Sequence, residues 1–169
     1  TMFRNLPPIT KNLLLINIIC FLADMVFSRY GVNLSHILGL HYVTASEFGF
    51  WQPITYMFMH ANFSHLFFNM FAVLMFAPAI EDRWGSRRFL IYYLVTGIGA
   101  GIIQEIVWAL QLQPVLNSVD PLMAAQLANR VVTIGASGAV FGILLAFGWL
   151  FPDVRMYIMF IPIPIRART

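Results

Sequence analysis

Charge is what this chain has least of. Only 10% of its 169 residues are Asp, Glu, Lys or Arg, which excludes an ordinary water-soluble domain, where about a quarter of the residues are charged. Cysteine is nearly missing too: Cys20 stands alone in an apolar run, so the chain has no intrachain disulfide and gives no reading of its redox compartment. The net charge of +3 is small, and no Lys/Arg cluster is interleaved with aromatics, so no nucleic-acid partner is expected. Internal repeats, low-complexity tracts and linkers are also lacking, which leaves one domain over residues 1–169, or part of one. What is present is apolar: 60% of the residues are hydrophobic, with 16 Phe and 9 Met. The solvent for this fold is a bilayer, and its partners are lipids and other membrane chains.

A helix needs about 20 apolar residues to cross the hydrocarbon core. Four runs approach that length, and they predict an all-α, polytopic transmembrane helical bundle with helices at roughly 12–28, 54–80, 88–112 and 131–151. The first run is short and carries Asn17 and Asp24, yet no small-residue cleavage site follows it, so it reads as a span rather than a signal peptide. Residues 156–165 form a further apolar run that is too short to span and contains Pro162 and Pro164, so it reads as a loop or re-entrant piece.

Basic residues set the orientation, because Lys and Arg are retained on the cytoplasmic side. Arg4, Lys11, Arg83, Arg87, Arg88, Arg155, Arg166 and Arg168 fall on one side of the four spans, against Arg29 and Arg130 on the other. The N-terminus is therefore expected in the cytoplasm and the connection 29–53 outside, with a bacterial cytoplasmic membrane as the expected location. In that connection Leu34, Ile37, Leu38 and Leu40 make an apolar face suited to the membrane interface, with Tyr42 and Trp51 at headgroup depth. His36 and His41 in the same connection read as surface or interfacial residues.

Polar residues within the runs are few. His65 and Asn69 are four apart, about 40° around a helix, and act from one face. An imidazole and a carboxamide in hydrocarbon either serve a function or join spans by hydrogen bonds, and residue type alone leaves both open. Metal binding by His60 and His65 is disfavoured, since an i, i+5 pair suits no helical ligand set and no carboxylate is near; no metal and no cofactor are expected. In GASGAVFG, from Gly135 to Gly142, Gly138, Gly142 and Ala146 form a small-residue stripe that admits another helix, and Gly97 and Gly101 offer a second such face. Ser137 stands off that stripe by about 100°, near a helical N-terminal turn whose free N–H groups stabilise an anion. That place suits a nucleophile, and it suits packing as well.

The string WQPITYMFMHANFSHLFFNM, with His60, His65 and Asn69 in an H-x-x-x-x-H-x-x-x-N pattern, resembles the second-helix signature of the rhomboid intramembrane serine proteases. GASGAVFG resembles their G-x-S-G motif, and IEDRWGSRRF is similar to their E-x-R-x-G segment at Glu81, Arg83 and Gly85. The resemblance implies cleavage of other proteins' transmembrane or juxtamembrane segments. Ser137 would be the nucleophile, with His65, Asn69 and the Ser137 N–H as oxyanion donors and a half-submerged first outer loop. His60, Gly135, Gly138, Gly142, Glu81 and Arg83 are expected to support the site. Ser137, His65 and Asn69 should converge on one cavity open to the outer face.

The resemblance also implies six helices and a dyad histidine on the sixth, of which four helices and no such histidine are present. The chain is therefore expected to be part of a longer enzyme and inactive alone. A rhomboid-like protein that binds transmembrane clients without cutting them is the alternative.

Overall fold

The computed structural model describes residues 5–157 and 164–166, and it is a helical membrane bundle. Among the described residues three helices are long and apolar enough to cross a membrane: α1 (Pro8–Arg29), α4 (Phe63–Trp84) and α5 (Ser86–Asn117). Between α1 and α4 the connection holds a short helix α2 (Leu34–Leu38), strand β1 (Leu40–His41), helix α3 (Gln52–Thr55) and a 3-10 turn at Tyr56–Phe58. After α5 come helix α6 (Pro121–Arg130), strand β2 (Val132–Thr133) and helix α7 (Ser137–Leu150). A hairpin closes the described chain, β3 (Arg155–Tyr157) with β4 (Pro164–Arg166), antiparallel with Met156 opposite Ile165. The reading of 156–165 as a loop falls partly on residues outside those described.

Each span departs from its hydropathy limits for a local reason. Helix α1 begins at Pro8, where proline loses no hydrogen bond in a first turn, so Lys11 and Asn12 lie inside the helix. Its first turn is closed by Glu81 on α4: the carboxylate accepts from Ile9 N–H, Thr10 N–H and Thr10 Oγ1 at 2.8, 2.8 and 2.7 Å. The expected second span at 54–80 is wrong at its start. Backbone Met59 is extended, and α4 starts only after Asn62, whose side chain accepts from His65 N–H at 2.8 Å. Asparagine competes for its neighbours' N–H groups and so starts helices, and a hydropathy average is blind to that. Helix α5 runs past 112 to Asn117, about 48 Å in all.

The fourth span changes most. Residues 132–133 are a strand paired with β1, Leu40 opposite Thr133 and His41 opposite Val132, and Gly135 has φ +127°, a backbone that side-chain-bearing residues rarely adopt. Helix α7 therefore has 14 residues, about 21 Å, which is less than a hydrocarbon core.

Helix α7 packs between α4 and α5. A Cβ on Gly138 would lie 2.4 Å from the Ala100 Cβ, and one on Gly142 2.9 Å from Thr96, so α5 fills the small-residue stripe. The Tyr92 hydroxyl donates to the Gly142 carbonyl at 2.7 Å. The expectation that Gly97 and Gly101 form a free face is corrected: Gly97 lies against Met57 and Gly101 against Tyr56. Both glycines admit the turn that precedes α4 rather than another copy of the chain.

Candidate active site

Three elements bring Ser137 to its place. Pairing of β1 with β2 fixes the approach of residues 132–133. Gly135 N–H then donates to the Tyr56 carbonyl at 2.9 Å, and Ala136 N–H donates to His60 Nε2 at 3.4 Å. Ser137 follows as the first residue of α7, with no side-chain cap from Ala136. The N–H groups of a helix's first turn have no intrahelical acceptor, so the Ser137 N–H is free to face an anion. The serine side chain is exposed.

His65 reaches the same point from α4. A Cβ on Gly135 would meet His65 Cε1 at 2.7 Å, His65 Nε2 at 2.8 Å and Ser137 Oγ at 3.7 Å. The imidazole and the hydroxyl thus both border the space a side chain on Gly135 would fill. The other ring nitrogen, His65 Nδ1, accepts from Ala61 N–H at 3.3 Å. A neutral imidazole that accepts at one nitrogen carries its proton on the other, so this hydrogen bond assigns the proton to Nε2 and makes His65 a donor toward Ser137.

Asn69, one turn further along α4, is buried and donates from Nδ2 to the His65 carbonyl at 2.9 Å. A carboxamide nitrogen carries two hydrogens, and one is left over. His60 lies beneath, 1% exposed, its ring edge-on to His65 with centroids 4.9 Å apart. Burial, and then the neighbouring His65, push the His60 pKa from 6.5 down to about 4. At neutral pH it is an uncharged acceptor for the loop that carries Ser137.

Other expectations fail on position. Glu81 and Arg83 were expected near the site, but they occupy the far end of α4, about 24 Å from His65 along the helix. Glu81 is the buried acceptor at the start of α1, and Arg83 is exposed. Gly142 is a helix-packing position against Thr96 and does not touch the site. His41 is not a surface residue. It is fully buried in β1, its N–H donating to Gln52 Oε1 at 3.1 Å, and burial, then His36, lower its pKa. Of the three candidate site residues, Ser137 is exposed, His65 half-buried and Asn69 buried. A cavity of about 650 Å³ lies nearby against His60, Ala61 and Ile134, and none of the three lines it.

Two supporting residues were missed. Gln52 is fully buried and donates from Nε2 to the carbonyls of Glu47 at 2.8 Å and Ile37 at 3.2 Å, tying the outer connection together. Tyr56 presents its carbonyl to Gly135 and donates its hydroxyl to the Gly97 carbonyl. The signal was a polar pair at 52 and 56 in an apolar run, which a span reading absorbs.

Comparison with known proteins places these residues in a wider setting. A family model described as the Rhomboid domain matches residues 47–167. Rhomboid protease AarA of Providencia stuartii is 31% identical over 143 residues, 82% of this chain and 49% of its own. Rhomboid-like protein 11, chloroplastic, of Arabidopsis thaliana is 30% identical over 132 residues, 78% of this chain and 38% of its own. Rhomboid protein 1, mitochondrial, of Saccharomyces cerevisiae is 30% identical over 107 residues, 63% of this chain and 27% of its own. The chain spans less than half the length of these relatives.

Proposed function

The chain belongs to the rhomboid family, and from that premise we propose that it is the nucleophile-bearing part of an intramembrane serine endopeptidase acting on transmembrane or juxtamembrane segments of other proteins. Ser137 Oγ attacks the scissile carbonyl carbon and passes its proton to a histidine that is not among these 169 residues, as the family resemblance implies. The oxyanion takes hydrogen bonds from His65 Nε2, the spare Nδ2 hydrogen of Asn69 and the Ser137 N–H. Collapse of the oxyanion breaks the peptide C–N bond, the amine leaving with the proton held by the histidine base, and water then hydrolyses the acyl-serine to free the acid and Ser137. Each such donor contributes a factor of roughly 10² to 10³ when aimed at the developing charge.

The observation that carries this reading is that the His65 ring and the Ser137 hydroxyl both border the space beside Gly135, with Nδ1 already occupied by Ala61 N–H. An imidazole whose second nitrogen accepts from the backbone is a poor proton acceptor toward serine and a good donor toward an oxyanion. Gathering of Lys11, Arg83, Arg87 and Arg88 at the end of the bundle where α1 begins supports a cytoplasmic N-terminus, with Ser137 opening toward the opposite side.

A fluorophosphonate probe on the natural full-length protein tests the assignment. Labelling at Ser137, lost in Ser137→Ala, is the expected result. No labelling of the full-length protein would leave a client-binding, non-cutting rhomboid-like protein as the better reading. Robust labelling of this chain alone, abolished in His65→Ala, would make His65 the base.

A further inference from the structure

We propose that the outer ends of α1 and α4 bind one membrane lipid with a primary-ammonium head, its head beside Asp24 and one acyl chain in the groove below. Two adjoining spaces carry the inference. The first is the cavity of about 650 Å³, whose polar wall is Asp24, Ser28, Asn33 and Ser35. The second is a groove of about 500 Å³ between α1 and α4, lined by apolar side chains alone, among them Ile18, Leu22, Leu66 and Met70. Phe21 and Met25 line both, so the two spaces adjoin along α1.

Their order along the membrane normal is that of a lipid. Asp24 lies about 24 Å along α1 from Pro8, close to the outer edge of a hydrocarbon core about 30 Å thick. The groove residues Ile18 and Leu22 lie inward of it, and those on α4 fall in its first two turns. A polar compartment thus caps an apolar one within the outer half of the bilayer.

Charge selects the head. Asp24 is the one acidic or basic side chain on either wall apart from His60, which burial keeps neutral. Its carboxylate accepts from Ser35 N–H at 3.2 Å and Ser35 Oγ at 2.7 Å, donors that carry no positive charge, and among the described residues no Lys, Arg or His nitrogen forms an ion pair with it. Each carboxylate oxygen has a second lone pair to offer. A primary ammonium brings both the missing charge and N–H donors. A choline head brings charge without donors, and an anionic head meets a carboxylate with no cation to offset it.

The test is native mass spectrometry of the natural full-length protein, delipidated and then exposed to equal amounts of phosphatidylethanolamine, phosphatidylcholine and phosphatidylglycerol with matched acyl chains. One retained lipid is expected, with phosphatidylethanolamine preferred about tenfold, as one charge-assisted hydrogen bond gives. Asp24→Asn should reduce that preference to parity. Ser35→Ala breaks the same latch to α2 while keeping the charge, and should keep the preference. Leu22→Trp, which fills the groove, should abolish retention of all three lipids. Retention blind to the head, no retention at all, a preference for phosphatidylglycerol, or a preference that survives Asp24→Asn would each overturn the proposal. Loss of the preference in Ser35→Ala would overturn it too, by tracing selectivity to the loop's position rather than to charge.

Discussion

The two ends of α4 both bury polar groups in an apolar bundle, and they treat them in opposite ways. At the inner end Glu81, 2% exposed, collects four donors: the N–H groups of Ile9 and Thr10, the Thr10 hydroxyl, and the Ser86 hydroxyl at 2.8 Å. Charge, helix dipole and hydrogen-bond demand are met together there, which ties α1, α4 and α5 into one piece. At the outer end demand is left over. His60 Nδ1 is buried without a partner, one Asn69 hydrogen is uncommitted, and His65 Nε2 faces an exposed serine. A satisfied network stabilises, whereas an unsatisfied one is costly unless a reacting group completes it.

The sharpest way to break this comparison is to truncate one residue at each end. In the natural full-length protein His65→Ala should lower the cleavage or labelling rate by about 10²- to 10³-fold, as loss of one oxyanion donor does, while the midpoint of unfolding in detergent barely moves. Glu81→Ala should do the reverse, costing about 3 kcal/mol of stability, since a charged acceptor is lost and several donors are stranded. Residual activity per folded molecule should stay close to that of the parent. If Glu81→Ala abolishes turnover in protein that is still fully folded, the division between a structural end and a reactive end is wrong.

Helix packing gives the next effect. Gly138→Ala puts a methyl group 2.4 Å from the Ala100 Cβ, so α7 must move away from α5, at a cost of about 1–3 kcal/mol in unfolding. Ser137 lies next to that contact, so the rate should fall along with stability, unlike in either variant above. Unchanged stability and rate would show that the close approach at Gly138 is not required.

These differences also explain what could be read from the sequence. The bundle, the order of its helices and the family were legible, because apolar runs and motif spacing report them directly. Helix starts were not: α4 begins where Asn62 caps it, inside the stretch 54–80 that reads as one span. The fourth span was overestimated because Val132 and Thr133 are as apolar in a strand as in a helix, and pairing with Leu40 and His41 is a tertiary event. Glu81 read as part of the site because it belongs to a family segment, although its chemistry serves the start of α1. His41 read as exposed because a histidine in a polar loop usually is, whereas Gln52 draws its backbone inside.

Acid should weaken the outer end selectively. His60 resists protonation down to about pH 4 when folded, against about 6.5 in an open chain. Between those values the unfolded chain binds a proton that the folded one refuses, so stability is full above about pH 6.5 and is lost as pH falls toward 4. Unfolding midpoints at pH 7.5 and 4.5 should therefore diverge in the parent protein. They should diverge less in His60→Gln, whose carboxamide oxygen still accepts from Ala136 N–H but does not titrate. Equal pH dependence in both would remove His60 as the cause.

The smallest effect belongs to the other histidine pair, which holds no exposed nucleophile. His36 and His41 rings meet edge-on with centroids 4.6 Å apart, but only His41 is buried. His36 Nε2 stands 4.0 Å from Glu47 Oε2, with side chains 38% and 54% exposed. An exposed pair at that separation gains little from its Coulomb attraction and spends side-chain entropy to form, so it is worth about 0–1 kcal/mol. His36→Ala should leave the unfolding midpoint and the labelling rate within error of the parent, and raising the salt concentration should not separate the two proteins further. A loss as large as that of Gly138→Ala would mean that the ring contact with His41 steadies β1, and through β2 the approach to Ser137. Polar organisation of the outer connection would then rest on His36 as well as on Gln52.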